Sequence, residues 1–156
     1  MAIRLIRLQG DQILREKAKR VEKITPQIIA LLNDMADTMY DAKGLGLAAP
    51  QVGISKRLVV IDAGDEKGLL KLINPEIIKS SGSVTAIEGC LSIPGVAGEV
   101  ERAENVTVRA LAPDGNTVEF TAKGLLARAC QHEIDHLDGI LFVDRVIRFV
   151  EQEEST

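Results

Sequence analysis

The run Leu125-Leu126-Ala127-Arg128-Ala129-Cys130-Gln131-His132-Glu133-Ile134-Asp135-His136-Leu137, followed by Asp138-Gly139, decides how the rest of this chain is read. Leu125, Ala129, His132 and His136 recur at spacings of three and four, with Leu126, Cys130 and Leu137 beside the same stripe. That period predicts one face of an α-helix, and Gly139 stands where a left-handed cap often closes one. His132-Glu133-Ile134-Asp135-His136 has the form H-E-x-x-H. On a helix, i and i+4 lie one turn apart on one face, so two imidazoles can share a metal ion. Glu133 points to the side of that face, where it can take a proton from a water held by the ion rather than act as a ligand. The chain has only 2 histidines, so the spacing does not emerge from a scatter of them. The plainer alternative is a polar surface helix, or two core histidines satisfied by neighbours.

Two histidines leave a metal site incomplete, because a catalytic site commonly has three protein ligands. No histidine follows His136. Of the later acids, Glu151, Glu153 and Glu154 fall in a polar tail. Cys130 lies two residues before His132, about 200° round the helix, and reads as a small buried hydrophobe. Cys90, in Ile87-Glu88-Gly89-Cys90-Leu91-Ser92, is the better third ligand, giving a Cys90, His132, His136 set. A Cys90–Cys130 disulfide is the alternative, disfavoured because nothing in the chain looks secreted. Asp135 lies about 60° from His132 and 100° from His136, which suits support or solvent better than ligation. Glu88 would need a cation if buried, and Arg102 is the candidate, with exposure of both as the alternative.

Upstream, Thr25-Pro26 opens a helix with Ile28, Ile29, Leu32, Met35, Ala36 and Met39 on one face, stopping at Asp41-Ala42-Lys43-Gly44. Strands are expected at 58–61 and 69–73. A hairpin sets Val106, Val108 and Ala110 against Val118, Phe120 and Ala122 around Pro113-Asp114-Gly115-Asn116. Strands followed by the metal helix describe an α+β fold: mainly antiparallel strands packed around the C-terminal helix carrying the pentad, plus an N-terminal helix.

Three segments in order, Gly44-Leu45-Gly46-Leu47-Ala48-Ala49-Pro50-Gln51, Glu88-Gly89-Cys90-Leu91-Ser92 and Gln131-His132-Glu133-Ile134-Asp135-His136, resemble the peptide deformylases. Ile73-Asn74-Pro75-Glu76 adds to the likeness, which covers essentially the whole chain. The resemblance implies that Cys90, His132 and His136 hold ferrous iron, replaceable by zinc, nickel or cobalt. It implies Glu133 as general base and acid, and Gln51 with the Leu91 backbone N–H as the oxyanion hole. The segment around Gly46 would bind the peptide backbone, and Leu45, Leu125 and Ala129 would line a methionine pocket. The implied activity is removal of formate from the formyl-methionine of nascent polypeptides. Those peptides are the expected partners, and the ribosome near its exit tunnel is a further candidate. Some members carry an arginine three residues beyond the proline of Cys90-Leu91-Ser92-Ile93-Pro94, at the rim of the substrate site. Here that place is Ala97. The rival readings are a zincin-type metallopeptidase and a purely structural metal module, and the latter has no use for Glu133 or Gln51.

The bounds agree with one catalytic domain over 1–156, ending in a frayed acidic tail at 151–156. Hydrophobic residues make up 46% and charged residues 27%, which argues against disorder. An aromatic share of 3% and a net charge of −4 speak against base-stacking platforms and sequence-specific nucleic-acid binding. Arg15, Lys17, Lys19, Arg20 and Lys23 form the one basic cluster, read as a solvated face with ribosomal RNA as the other candidate. With no signal peptide and no apolar run near the roughly 20 residues of a bilayer span, the expected location is the cytoplasm and no membrane contact is expected.

Overall fold

A computed structural model of the chain describes residues 2–151; the expected fraying at 152–156 falls outside the described residues. The first helix, α1 (Pro26–Asp41), begins where Thr25 accepts a hydrogen bond from the Ile28 N–H at 3.3 Å, and Pro26 takes the first turn, where no N–H is needed. It ends at Lys43, whose φ of 59° turns the chain out of the helix, while the Gly44 N–H reaches back to the Met39 carbonyl at 2.9 Å. Ile28, Leu32, Met35, Ala36 and Met39 are buried as the period requires; Ile29 is only half-buried and Leu31 takes its place in the core.

One sheet has five strands in the order β1 (Gly46–Ala48), β2 (Leu58–Asp62), β3 (Leu69–Ser81), β6 (Asn105–Leu111), β7 (Thr117–Lys123). Every pairing in it is antiparallel. The hairpin register matches the alternation, with Val106 opposite Ala122, Val108 opposite Phe120 and Ala110 opposite Val118. The second helix, α2 (Gly124–Leu137), follows β7 directly and packs across this sheet. β2 lies between the helices. Leu58 and Val60 join the core under α1, whereas Val59 and Ile61 join the core under α2. All four are fully buried, so this strand reads as an unbroken apolar run rather than an alternation. Each such side chain contributes roughly 1.5–3 kcal/mol of burial.

β3 runs eight residues past the expected stretch. It passes Asn74 at φ 52° and two register shifts on the way. Asn74 accepts from the Val21 N–H at 2.8 Å and donates to the Val21 carbonyl at 2.9 Å, so its amide stands in for a strand neighbour. Pro75, which cannot donate, falls within the first irregularity, where a strand tolerates it.

A second sheet of three antiparallel strands, β4 (Val84–Cys90), β5 (Ile93–Arg102) and β8 (Val146–Val150), closes the other side over Leu14, Ile93, Val100, Leu141 and Phe142. Gly98 in β5 is required by close approach: a Cβ there would lie 2.7 Å from the Val146 methyls. Ala97, expected at the rim of the substrate site, is instead buried (3% exposed) opposite Val150. Successive strand residues face opposite ways, so it is Val96 that reaches the cleft.

The segment before α1 is pinned to it. Asp34 accepts from the Ala2 N–H at 2.8 Å and from Arg4 Nε at 3.0 Å. The Ala2 hydrogen bond first, helped by Arg4 and opposed by burial, holds the Asp34 carboxyl below its ordinary range. The unfolded chain therefore binds the proton first on acidification. The stabilisation is present above about pH 4 and is lost as pH falls through the lower folded value. Asp34→Asn should lower the melting temperature at neutral pH, and the difference from wild type should shrink in strong acid. A difference that stays constant across that range in melts followed by circular dichroism would contradict this linkage.

Candidate active site

α2 places His132 and His136 on one face, with ring centroids 5.1 Å apart. Cys90 ends β4 at an irregularity in its pairing with β5, and its thiol reaches toward the same helix face. Its Sγ lies 3.4 Å from His136 Nε2, and the donor atoms of Cys90, His132 and His136 all fall within 4.8 Å of one another. Among the described residues this is the one group of three with metal-ligand spacing. Cys130 is wholly buried and free, its thiol pushed up to about 12 by burial, and both cysteines are reduced.

His132 is held from behind, whereas the buried Nδ1 of His136 has no hydrogen-bond partner within the protein. Glu88 lies 3.0 Å from His132 Nδ1, so a proton on that nitrogen leaves Nε2 free for a ligand role. Glu88 itself is gripped by Arg102 at 2.7 and 2.9 Å and by Arg128. Burial pushes Glu88 up, but the hydrogen bonds from His132 and Arg102 outweigh it and hold the carboxyl at about 2. Asp135 extends the cluster, accepting from Arg102 at 2.9 Å and from Arg145 at 2.5 Å. Of the two alternatives for Glu88 and Arg102, the buried pair is the one found, at 7% and 6% exposure.

Burial disfavours charge on His132, yet the charges of Glu133 and Cys90 and the Glu88 hydrogen bond raise it to about 10. A surround that favours positive charge on an imidazole also favours a cation among the three donors. His136, buried and facing His132 and Arg102, is pushed well below its usual value, which keeps it neutral as a ligand must be. Glu133 is 4% exposed and burial raises it to about 7, against the pull of His132 and Arg102. Its Oε1 is buried and makes no hydrogen bond within the protein. A buried polar oxygen of this kind calls for a partner from outside the chain. A neutral His136, a His132 whose surround favours positive charge, a thiol and an unpartnered carboxylate thus fit a divalent ion with an attached reactant.

These groups open into a cleft of about 480 Å³ lined by Leu45, Gly46, Gln51, Leu91, Leu125 and Ala129, together with Cys90, His132 and Glu133. The three expected pocket residues, Leu45, Leu125 and Ala129, therefore line it together with Gly46, and Leu45 and Leu125 are about half exposed at its mouth. Gln51 is 1% exposed. Its Oε1 accepts from the Ala48 N–H at 2.9 Å, and its Nε2 donates to Ser92 Oγ at 3.1 Å and approaches Cys90 Sγ at 3.6 Å. Two residues escaped the sequence reading. Ser92, fully buried, fixes the Gln51 amide, and Arg128 ties Glu88 to the Val100 and Val84 carbonyls. Arg128 stands one turn before His132, and that spacing was the available signal.

Paired helix histidines, a strand-end thiol and a buried carboxylate at the floor of an open cleft define a metal-dependent hydrolase. A family model described as polypeptide deformylase matches residues 3–152. The chain belongs to the polypeptide deformylase family. It is 59% identical over 154 residues to the peptide deformylase of Acetivibrio thermocellus, covering 99% of this chain and 89% of that one. To that of Caldanaerobacter subterraneus subsp. tengcongensis it is 60% identical over 154 residues, with 99% and 96% covered. The crystal structure of a peptide deformylase from Legionella pneumophila superposes with a TM-score of 0.90 at 53% identity, covering 93% of this chain and 86% of that chain.

Gly46 has a second constraint that its sequence context did not reveal. A Cβ there would lie 2.6 Å from Glu133 Oε2 and 2.8 Å from Glu133 Cγ. Gly46→Ala should displace the carboxylate and lower kcat by about 10²-fold, the scale on which a misplacement near 1 Å acts. Metal content should be retained, since no ligand moves. Unchanged single-turnover rates would show that the carboxylate tolerates the shift.

Proposed function

We propose that the enzyme hydrolyses the formyl group from the N-terminal formyl-methionine of nascent polypeptides, releasing formate. The observation that carries this reading is the buried, unpartnered Glu133 carboxylate beside the Cys90, His132 and His136 donors. In this reading those three residues are the ligands. A divalent ion bound there would supply polarisation of the formyl carbonyl and acidification of water. Glu133 takes the proton of the attacking water and delivers it to the departing amine nitrogen, and a raised carboxyl pKa suits both roles. Negative charge builds on the formyl oxygen, where Gln51 Nε2 and the Leu91 N–H donate.

The substrate backbone enters along Gly46. β1 is the edge strand of its sheet, with β2 on one side only, so an extended peptide can add to its open side. Leu45, Leu125 and Ala129 then form the apolar wall against the methionine side chain. The chain acts as one catalytic domain in the cytoplasm, where nascent chains arise. The exposed Arg15, Lys17, Lys19, Arg20 and Lys23 are the face available to the ribosome, with Arg15 also paired to Asp144. The family match does not favour a zincin-type peptidase.

Ferrous iron is the proposed native ion on the strength of the family resemblance; a thiolate beside two imidazoles accepts iron or zinc. Enzyme loaded anaerobically with iron should release formate faster than enzyme loaded with zinc. It should lose that advantage in air, with oxidation at the metal or at Cys90 seen by mass spectrometry. Equal rates for the two forms would remove iron from the assignment.

Incubation with formyl-methionyl and acetyl-methionyl peptides tests the reaction itself. Formate release should be rapid and acetate release far slower. Glu133→Ala should retain metal while losing about 10²–10⁴ in rate. Equal cleavage of the two peptides, or a Glu133→Ala enzyme of near wild-type rate, would sink the proposed mechanism.

A further inference from the structure

Residues 2–8 carry no regular secondary structure, yet the segment 7–9 bonds to two loops of the candidate site. The Arg7 N–H donates to the Gln51 carbonyl at 2.6 Å, and the Gln9 N–H donates to the Ser92 carbonyl at 2.8 Å. Gln51 lies in the 3-10 turn Ala49–Val52, and Ser92 in the turn between β4 and β5. These are the two loops that carry the proposed oxyanion donors, Gln51 and the Leu91 N–H. No strand pairing joins the loops, since they belong to different sheets. Their direct link is the Gln51 Nε2 to Ser92 Oγ hydrogen bond at 3.1 Å.

We infer that residues 7–9 are a positioning strap that sets the spacing of the two oxyanion-hole loops and so tunes the rate of the chemical step. This rests on the oxyanion role proposed above for Gln51 and Leu91. Two N–H groups two residues apart in an extended chain lie about 6–7 Å from each other, which makes the strap a short ruler. One end is fixed by the Arg7 guanidinium, which lies over Gly53: a Cβ on that glycine would fall 2.9 Å from Nη2. The other end is fixed by a turn in which the Asp11 N–H returns to the Leu8 carbonyl at 3.0 Å, with Asp11 also accepting from Arg7 at 3.3 Å. Gln51 is thereby held at three points, its carbonyl by the strap, its Oε1 by Ala48 and its Nε2 by Ser92. The strap reaches the metal-ligand candidates only at one remove, through the Gln51 amide at 3.6 Å and the Ser92 N–H at 3.4 Å from Cys90 Sγ, so its first effect falls on orientation.

Gln9→Pro removes one donor of the ruler. In the metal-loaded enzyme it should lower kcat about tenfold, a fraction of what the loss of a whole oxyanion donor costs, with KM and metal content little changed. The Gln51 side-chain amide resonances should broaden. In a cycle with Gln51→Ala, Gln9→Pro should add almost nothing, because both changes act through one group. Independent multiplication of the two losses, or an unchanged kcat in folded Gln9→Pro, would overturn the strap. A Gln51→Ala enzyme of full activity would overturn the oxyanion assignment instead, which is a separate failure. If Gln9→Pro does not fold, Leu8→Gly replaces it in the same cycle. That change keeps both N–H donors and only slackens the segment, with an expected loss of about threefold. A Leu8→Gly enzyme with unchanged kcat, or a loss that multiplies with that of Gln51→Ala, would equally overturn the strap.

Discussion

The buried carboxylate of Glu88 is the point on which the site depends. It belongs to β4, its guanidinium partners Arg102 and Arg128 belong to β5 and α2, and it meets His132 on the helix face. One side chain therefore joins the small sheet to the helix and orients a proposed ligand. Two charges buried without good geometry would cost more than their attraction returns. Here Glu88 receives two bonds from Arg102, one from Arg128 and one from His132, so its oxygens are fully engaged. Removing one partner from such a pair typically costs about 3–5 kcal/mol, because the other charge is left buried. The surplus positive charge of two arginines is taken up by Asp135, which also draws in Arg145 from just before β8. The cluster thus reaches from the helix across to the third strand of the small sheet.

That anchoring explains how a site drawn from distant segments can be rigid. α2 contributes His132, Glu133 and His136 with spacing set by helix geometry alone. Cys90 comes from a strand end, and Gln51 from a short turn after β1. The five-stranded sheet, buried under α1 and α2 around β2, fixes the helix and the Gln51 turn relative to each other. The three-stranded sheet carries Cys90 and is joined to the helix through Glu88. The cleft is lined by the start of β1, the connection from β4 to β5 and the face of α2, so the mutual position of the two sheets sets the distance between the proposed base and the proposed oxyanion donors.

Much of this was legible in the chain, for identifiable reasons. The metal helix and the hairpin at 105–123 carry clean periods of 3.6 and 2, and their local sequence agrees with their environment. β5 was not legible, because Pro94, Gly95 and Gly98 punctuate it as a loop. It is a strand because Gly98 lets Val146 pack against it, a contact made with a residue 48 positions away. β3 was legible only as far as Ile73, after which Asn74 at φ 52° and Pro75 interrupt the ladder. The chain continues as a strand only because the Asn74 side chain bonds Val21 as a strand neighbour would. The ligand set could be argued from ligand chemistry and helix angles. The partners of Glu88 could not be chosen between burial and exposure, since pairing at 14, 40 and 44 residues is decided by the fold.

The glycines at 44 and 46 meet a constraint that the sequence did not show. The resemblance implied that the segment around Gly46 binds a peptide backbone, and both glycines line the cleft. The tighter limit comes from within the protein. A Cβ at 44 would meet Leu91 Cδ1 at 2.7 Å, and one at 46 would meet the Glu133 carboxylate. The same bare backbone that can accept a substrate strand is pressed against the proposed base and against the residue whose N–H is the proposed oxyanion donor. The proposed docking of substrate and the proposed catalytic geometry would therefore be coupled through one segment of main chain, with no side chain between them to absorb a shift. A peptide that pulls on Gly46 as it pairs would move the surface on which Glu133 rests. Productive binding in such a site requires the strand register to be correct before the carboxylate can be correctly placed.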